Sequence, residues 1–232
     1  MYLYETHCHT KPVSHCGKAT VEETLQYYRD AGYDGVFITN HFLDGNIDID
    51  PRNSYAGKLD FFFSDYHAGV EWGKKIGIKV FLGAEHSLGG TDFLVYNLPE
   101  KWYYAHPEVI QTPKSALLPQ LMGEGALVVQ AHPFREASYI DHIRLFPRSV
   151  QAVEIYNACR DDFVNEMARH YADAYRLLHF AGSDNHQAGR NHFYGGMMSD
   201  TPVSGEADFV RRVLAKEMRP FRRVEGDAAV EI

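Results

Sequence analysis

Short apolar runs alternate with longer amphipathic segments along the chain, and this alternation predicts strands that are separated by helices. The predicted strands cover residues 2–6, 35–39, 79–83, 92–97, 126–130, 152–156, 178–181 and 221–224. The predicted helices cover residues 20–31, 55–76, 114–122, 138–145, 161–177 and 206–216, and a loop is expected over residues 99–113. Strands separated by helices pair in parallel through βαβ units, so the pattern predicts a barrel-like α/β domain of about seven units.

The length of 232 residues favours one domain over two. An open, doubly wound sheet is the structural alternative, but no Gly-x-Gly-x-x-Gly motif follows the first predicted strand, which disfavours dinucleotide binding. No apolar run is long enough for a transmembrane helix, and the first residues lack the pattern of a signal peptide. We therefore expect a single soluble domain, residues 1–232, that does not bind membranes.

The charge balance and the cysteine count narrow the class of protein further. Lys plus Arg is 23 and Asp plus Glu is 31, so the net charge is −8, which argues against general nucleic-acid binding. Three cysteines are a low, odd number and indicate reduced thiols in the cytoplasm. The 13 histidines exceed the roughly five that average usage would give, so their positions carry information.

The histidines are concentrated at the ends of predicted strands, together with two carboxylates. His7 and His9 are two residues apart at the end of the first strand and therefore face the same side, whereas Cys8 points away. The other candidates that follow strands are His15, His41, Glu85, His132, Asp184 and His186. In parallel α/β proteins, active sites lie at this end of the strands.

The types of ligand indicate which metals the site would bind. Imidazole together with carboxylate favours Zn, Mn or Fe over a cysteine-rich structural zinc site. Eight candidates exceed the four positions of one tetrahedral ion, so we expect two or three divalent ions, with Glu85 or Asp184 as a bridge. Such a centre activates a hydroxide for in-line phosphoryl displacement.

Five motifs resemble, in order, the signature of the polymerase and histidinol phosphatase (PHP) family. They are Thr6-His7-Cys8-His9-Thr10, Thr39-Asn40-His41, Gly83-Ala84-Glu85, Ala131-His132-Pro133 and Gly182-Ser183-Asp184-Asn185-His186. The resemblance spans residues 6–186. It implies a distorted (β/α)7 barrel, up to three metal ions and a metal-dependent phosphoric ester hydrolase of the histidinol-phosphatase kind.

The resemblance also implies how the ligands are shared among three metal positions. The first position would use His7, His9, Glu85 and Asp184, the second Glu85 and His132, and the third His15, His41 and His186. The family usually supplies a further histidine for the second position, and Leu94 stands in its place. The second ion is therefore expected to be weak, absent, or completed by His86, Asp92 or His106. Asn40 stands where the family often has an acidic residue. We expect this difference to affect how the metal ligands are held in place rather than which residues bind the metal.

Four residues are candidates for substrate binding. Arg135 lies three residues after His132 and could bind a phosphate, and Arg160 and Arg190 are secondary candidates for the same contact. His106, in the aromatic loop, could cover the substrate, although ordinary loop packing explains that segment equally well.

The sequence thus predicts a phosphoesterase that acts on a small phosphorylated molecule through a metal-activated hydroxide. Two alternatives stay open. One is an amidohydrolase-like hydrolase of C–N or C–O bonds, which is disfavoured because no Lys follows a core strand in the role that such barrels use. The other is a non-catalytic metal-binding module. The substrate, the general acid and the oligomeric state stay open.

Overall fold

The computed structural model describes residues 1–189 and 192–232. Its strands are β1 (Tyr2–Glu5), β2 (Gly35–Ile38), β3 (Lys79–Leu88), β4 (Thr91–Tyr96), β5 (Leu127–Ala131), β6 (Ala152–Asn157), β7 (Leu178–Gly182), β8 (Phe193–Ser199), β9 (Arg219–Val224) and β10 (Val230–Glu231). Its helices are α1 (Val21–Asp30), α2 (Tyr55–Ile76), α3 (Glu100–Ala105), α4 (Lys114–Gly123), α5 (Asp162–Tyr175) and α6 (Glu206–Leu214), with a short 3-10 helix at Pro107–Ile110. The fold is therefore mixed α/β, as the sequence predicts.

The strands form one ten-stranded sheet in the order β10-β9-β8-β1-β2-β3-β4-β5-β6-β7. Strand pairs β1–β2, β2–β3, β5–β6 and β6–β7 are parallel. Helices α1, α2 and α5 join three of these pairs, in agreement with the expected βαβ units, whereas β5 and β6 are joined without a helix. Strand β4 is antiparallel to both of its neighbours, and β8 to β10 are also antiparallel. The sevenfold (β/α) count of the predicted barrel is therefore not confirmed.

Strand β4 runs backwards because a tight turn joins it to β3. Gly89 and Gly90 have φ of 54° and 86°, a left-handed conformation that glycine adopts without strain. The turn pairs Leu88 with Thr91, so β3 continues to residue 88 instead of ending at residue 83. As a result, the beginning of β4, rather than its end, lies next to the later part of β3.

The sheet curls around a hydrophobic interior. One buried cluster draws side chains from strands β1 to β8 and from α6, and its large members include Tyr4, Phe37, Phe81, Tyr96, Phe180 and Phe209. The terminal strand β7 closes the curl against β8 at Gly195, where a Cβ would collide with the carbonyl oxygen of Gly182 at the end of β7. The Gly195 amide also donates a hydrogen bond of 3.0 Å to Ser183 Oγ, which holds β8 close to the end of β7.

Two segments differ from the sequence prediction. Residues 138–145 are not helical, because Tyr139, Ile143 and Leu145 are exposed and provide no apolar face to bury. The expected loop over residues 99–113 contains α3 and the 3-10 helix instead. None of the described helices combines the length and the apolar character needed to cross a membrane.

Candidate metal centre

The candidate ligands converge where β1, β2, β5 and β7 end and where β3 passes them. Seven of the eight predicted ligands, together with one cysteine, form four overlapping groups of three residues. Within each group the ligand atoms lie within 4.8 Å of one another. The groups are His7, Glu85 and His132; His7, His9 and Asp184; His9, His41 and Glu85; and His9, Cys16 and His186. Parallel bridges between Cys8 and Asn185 and between His41 and Glu85 bring these segments together.

Glu85 lies at the centre of the cluster and is 1% exposed. Its Oε1 lies 3.1 Å from His7 Nε2, and its Oε2 lies 2.9 Å from His41 Nδ1. Among the described residues, neither carboxylate oxygen nor His41 Nδ1 has a hydrogen-bond partner of acceptable geometry. Buried polar atoms are rarely left without a partner. The two Glu85 oxygens and the imidazole nitrogens that face them therefore suit a bound cation.

The electrostatics of the two carboxylates agree with that fit. Burial opposes ionisation of Glu85, but His41 and His7 outweigh it and lower its pKa well below the usual value. Burial acts in the same way on Asp184, whose pKa is nevertheless lowered well below its usual value by His7 and His9. Both side chains therefore stay ionised and present oxygen ligands at neutral pH.

His7 is oriented by a carboxylate on its far side. Its Nδ1 lies 2.8 Å from Glu154 Oε1, which leaves Nε2 facing Glu85 and Asp184. The other oxygen of Glu154 accepts hydrogen bonds from the His132 amide at 3.0 Å and from Asn157 Nδ2 at 2.9 Å. A carboxylate behind an imidazole fixes its orientation and strengthens it as a metal ligand.

Two further acidic residues at the cluster, Glu154 and Glu5, were not predicted from the sequence. Both are fully buried in strands, and Glu5 Oε1 accepts hydrogen bonds from the amides of His7 at 2.8 Å and Ser183 at 3.0 Å. Burial raises the pKa of Glu5 to about 7. Each is a single acidic residue in an otherwise apolar strand, a pattern that indicates a buried partner because carboxylates are rarely buried alone.

The cluster continues toward solvent through stacked imidazoles. The rings of His41 and His186 lie 4.5 Å and 4.7 Å from the ring of His9. Burial and the neighbouring His41 lower the pKa of His9 to about 3, so His9 is neutral and can act as a ligand. His186 Nδ1 donates a hydrogen bond of 2.7 Å to the Asp184 carbonyl oxygen, so Nε2 is the nitrogen that can act as a ligand.

His15 is the predicted ligand that the structure does not bring to the cluster. Its side chain is 67% exposed and lies 3.7 Å from Asp48. The next residue, Cys16, is directed to His9 and His186 instead. Burial opposes ionisation of the Cys16 thiol, but hydrogen bonds with His186 and His41 lower its pKa to about 7. Cys8 faces away from the cluster, as expected, and donates to the Phe37 carbonyl oxygen.

Leu94 lies beside Glu85, since their Cα atoms are register partners, and its side chain is buried in the interior of the curl. Of the three proposed substitutes, His86 is paired with Asp44 at 2.9 Å, and the His106 ring stacks on Trp102. Asp92 is closer, with Oδ2 3.9 Å from His132 Nε2. The same oxygen accepts a hydrogen bond of 2.9 Å from Arg135, so Asp92 is already engaged by a cation.

Two of the candidate ligands have unusual backbone conformations. His132 has φ of 26° and Asp184 has φ of 54°, a region that costs side-chain-bearing residues about 1–3 kcal/mol. Each residue comes directly or almost directly after a buried strand, β5 or β7. Strain at these two points directs both side chains into the cluster, and such strain is typical of functional sites.

A pocket of about 510 Å³ opens over the cluster, a size suited to a small molecule. Its lining includes Arg135 and Arg160, and the Nε atoms of both are buried without a hydrogen-bond partner among the described residues. Arg160 donates a hydrogen bond of 2.8 Å to Asp184 Oδ2. His106 does not line this pocket, contrary to the expectation, and Arg190 lies outside the described residues.

Several solved structures share this fold. The chain superposes with a TM-score of 0.68 and 15% identity on a two-domain protein from Bacteroides vulgatus that contains a predicted PHP-like metal-dependent phosphoesterase. The match covers 97% of this chain and 65% of that protein, so the chain spans about two thirds of the length of its neighbour. A protein from Bifidobacterium adolescentis described as a candidate metal-dependent phosphoesterase matches with a TM-score of 0.55 and 15% identity, over 92% of this chain and 96% of the other.

A third neighbour bears a different description. It is an amidohydrolase from Chromobacterium violaceum with bound sulfate and no metal, which matches with a TM-score of 0.54 and 15% identity over 93% of this chain and 96% of the other. No family model matches the sequence, and no curated protein matches it. The chain therefore has the fold of PHP-like metal-dependent phosphoesterases, and its clustered imidazoles and carboxylates suit divalent metal ions.

Proposed function

We propose that this protein is a metal-dependent phosphoesterase that hydrolyses a small phosphorylated molecule. The observation that carries the proposal is Glu85, a buried carboxylate whose two oxygens lack hydrogen-bond partners among the described residues and face His7 and His41. A carboxylate in this position can bridge two cations, which is the arrangement that in-line phosphoryl displacement uses. The binding of two or three ions, of Zn, Mn or Fe, belongs to this proposal, as does a cytoplasmic location.

The proposed ligands divide into an inner part around Glu85 and Asp184 and an outer part, toward solvent, that includes His41 and His186. His7, His9, Glu85 and Asp184 would hold the innermost ion, with His132 beside Glu85 for a second one. When bound, divalent ions there supply Lewis acidity and lower the pKa of a coordinated water. The chain's own residues keep the imidazoles in place: Glu154 orients His7, and Ser14 Oγ lies 3.3 Å from His9 Nδ1.

The two pocket arginines would bind the phosphoryl group. Arg135 and Arg160 each have a buried Nε–H that no described residue accepts. Their remaining contacts to Asp92 and Asp184 fix both guanidinium groups next to the cluster. Planar guanidinium groups match phosphate oxygens, so these arginines would orient the substrate and offset the charge that develops in the transition state.

An amidohydrolase-like activity is the second candidate, favoured by the fold similarity to the amidohydrolase from Chromobacterium violaceum. The same centre could act on a carbonyl substrate, because an activated water attacks carbonyl carbon as well as phosphorus. The two arginines favour the phosphoesterase, since a neutral amide or lactone has no anionic group for them to bind.

A substrate panel separates the candidates. Protein depleted with chelator and reloaded with Mn²⁺ or Zn²⁺ is assayed on phosphomonoesters, phosphodiesters, amides and lactones. We expect hydrolysis of p-nitrophenyl phosphate that is abolished by chelator, reduced roughly 10²–10³-fold or more in Glu85→Gln, and unchanged in His170→Gln, an exposed control. Turnover of an amide or a lactone but of no phosphoester would replace the proposal by the second candidate. A metal-loaded protein without any turnover would favour a non-catalytic module.

A further inference from the structure

The loop that follows β1 brings a cysteine, rather than a histidine, to the outer side of the cluster. Cys16 Sγ lies within 4.8 Å of ligand nitrogens of His9 and His186. The residue also lines the pocket. Cys16 is half-buried, whereas the neighbouring His15 side chain is 67% exposed.

Backbone contacts on both sides of Cys16 determine that this residue, and not His15, faces the cluster. The His15 amide donates a hydrogen bond of 3.0 Å to the Asn46 carbonyl oxygen, and the Gly17 amide donates one of 3.0 Å to the Ser14 carbonyl oxygen. A Cβ at Gly17 would lie 2.7 Å from the Thr10 carbonyl carbon, so this turn passes too close to the preceding backbone to accept a side chain. A shift of one residue, which would exchange Cys16 for His15, would therefore move a side chain into that contact.

The nitrogens around the thiol are arranged as ligands. His186 uses Nδ1 to donate to the Asp184 carbonyl oxygen, so Nε2 is the nitrogen that can bind an ion. His41 Nδ1 lies 2.9 Å from Glu85 Oε2 and has no hydrogen-bond partner among the described residues. A thiol that faces the imidazoles of His9 and His186 in a carboxylate-lined cluster has the surroundings of a metal-binding cysteine.

We propose that Cys16 supplies a thiolate ligand to a divalent ion that is held together with His186 on the His9 side of the cluster. The inference rests on the proposed metal centre and deepens it. A thiolate prefers Zn²⁺ and other softer ions to Mn²⁺ or Mg²⁺. The outer position would therefore select a softer ion than the inner position, whose ligands include the oxygens of Glu85 and Asp184. Each metal position would therefore prefer a different class of ion.

Cobalt substitution tests this inference without any assay of activity. Co²⁺ is titrated into chelator-treated protein, and the near-ultraviolet absorption is recorded, where a thiolate bound to cobalt gives a charge-transfer band. We expect the band in the wild type, in His15→Ala and in Cys159→Ser, and its absence in Cys16→Ser. Cys16→His is expected to bind Co²⁺ with d–d absorption but without the band. Circular dichroism of each variant confirms that it is folded.

The binding of Zn²⁺ gives a second readout. Cys16→Ser should bind one Zn²⁺ per chain at least about 100-fold more weakly, whereas its Mn²⁺ affinity should change much less. Co²⁺ binding to the wild type with d–d absorption but without the charge-transfer band would overturn the thiolate assignment and leave the metal centre intact. Loss of an ion in His15→Ala, with the band retained in Cys16→Ser, would also overturn it. Failure of the wild type to bind Co²⁺ or Zn²⁺ at all would overturn both the inference and the proposed metal centre.

Discussion

Glu154 Oε1 lies 2.8 Å from His7 Nδ1, and this contact directs the opposite nitrogen of the imidazole toward Glu85. Both residues are fully buried, so the pair cannot rearrange into solvent. The orientation of a candidate ligand therefore depends on a side chain that is not itself one of the candidate ligands.

Replacing this carboxylate should weaken metal binding even though every ligand stays in place. We expect Glu154→Gln to lower the affinity of the inner position about 10–100-fold, because the imidazole loses its charged partner and part of its basicity. Competition with a chromophoric chelator measures the affinity. Glu166→Gln, an exposed change on α5, is the control and should bind metal like the wild type. Equal affinities in the two variants would show that Glu154 only packs in the core.

Arg135 is expected to act on substrate binding rather than on the metal ions. Arg135→Lys keeps a positive charge near Asp92 but loses the planar pair of donors, so the KM for a phosphomonoester should rise about tenfold while kcat changes less. Steady-state kinetics and elemental analysis of the same preparations check both points. Arg148→Ala, which is exposed, is the control. A fall in metal content in Arg135→Lys would instead give this arginine a role in holding the centre together.

Leu94 occupies the position that the family resemblance assigns to a histidine, and it lies next to Glu85 in register. We expect Leu94→His to raise the metal stoichiometry or affinity, because an imidazole beside Glu85 adds a ligand to the second position. Leu94→Met conserves volume without adding a nitrogen ligand and is the matched control. The idea fails if stoichiometry does not change and the parent protein already has the second position filled.

A buried charge network beside the pocket predicts a loss of stability in acid. Burial opposes ionisation of Asp44, but His86 and Lys114 outweigh it and lower its pKa to about 2. Because the folded-state pKa lies below the unfolded value, this stabilisation is present above about pH 4 and is lost as the pH falls toward 2. Asp44→Asn leaves Lys114 buried without its charged partner, so at neutral pH it should lower the free energy of unfolding by about 3–5 kcal/mol.

Chemical unfolding of metal-free protein between pH 2 and pH 7 measures this effect. The wild type should lose stability relative to Asp44→Asn as the pH falls from 4 to 2. Asp50→Asn breaks an exposed pair with Arg52 and should match the wild type in the same series. A difference between wild type and Asp44→Asn that stays constant from pH 7 to pH 2 would show that ionisation of Asp44 does not stabilise the fold.

Local sequence patterns predicted most of the cluster but not its outer edge. His7, His9, Glu85 and Asp184 could be identified because short spacings at strand ends determine where those side chains face. Whether His15 or Cys16 faces the cluster depends on contacts with Asn46 and Thr10. These contacts cannot be predicted from the spacing of residues within the loop. Glu154 was missed for a different reason, since one carboxylate in a strand forms no pattern with its neighbours.

The same distinction applies to the strands. Parallel pairs joined by helices followed from periodicity, whereas the reversal at Gly89-Gly90 is specified by only two residues. Strand β8 was not predicted, because Gly195 and Gly196 have low strand propensity and are required there by close backbone contacts. Tertiary contacts therefore decided the elements that local propensity could not.

The most direct test of the metal centre is anomalous diffraction from crystals of protein reconstituted with Zn²⁺ or Mn²⁺, together with elemental analysis. We predict at least two transition-metal ions per chain, which for a multi-metal centre lie about 3.5–4 Å apart. One peak should lie among His7, His9 and Asp184, with Glu85 as a shared ligand. Less than one equivalent of metal after reconstitution, or peaks only at exposed histidines such as His67 and His170, would contradict the account.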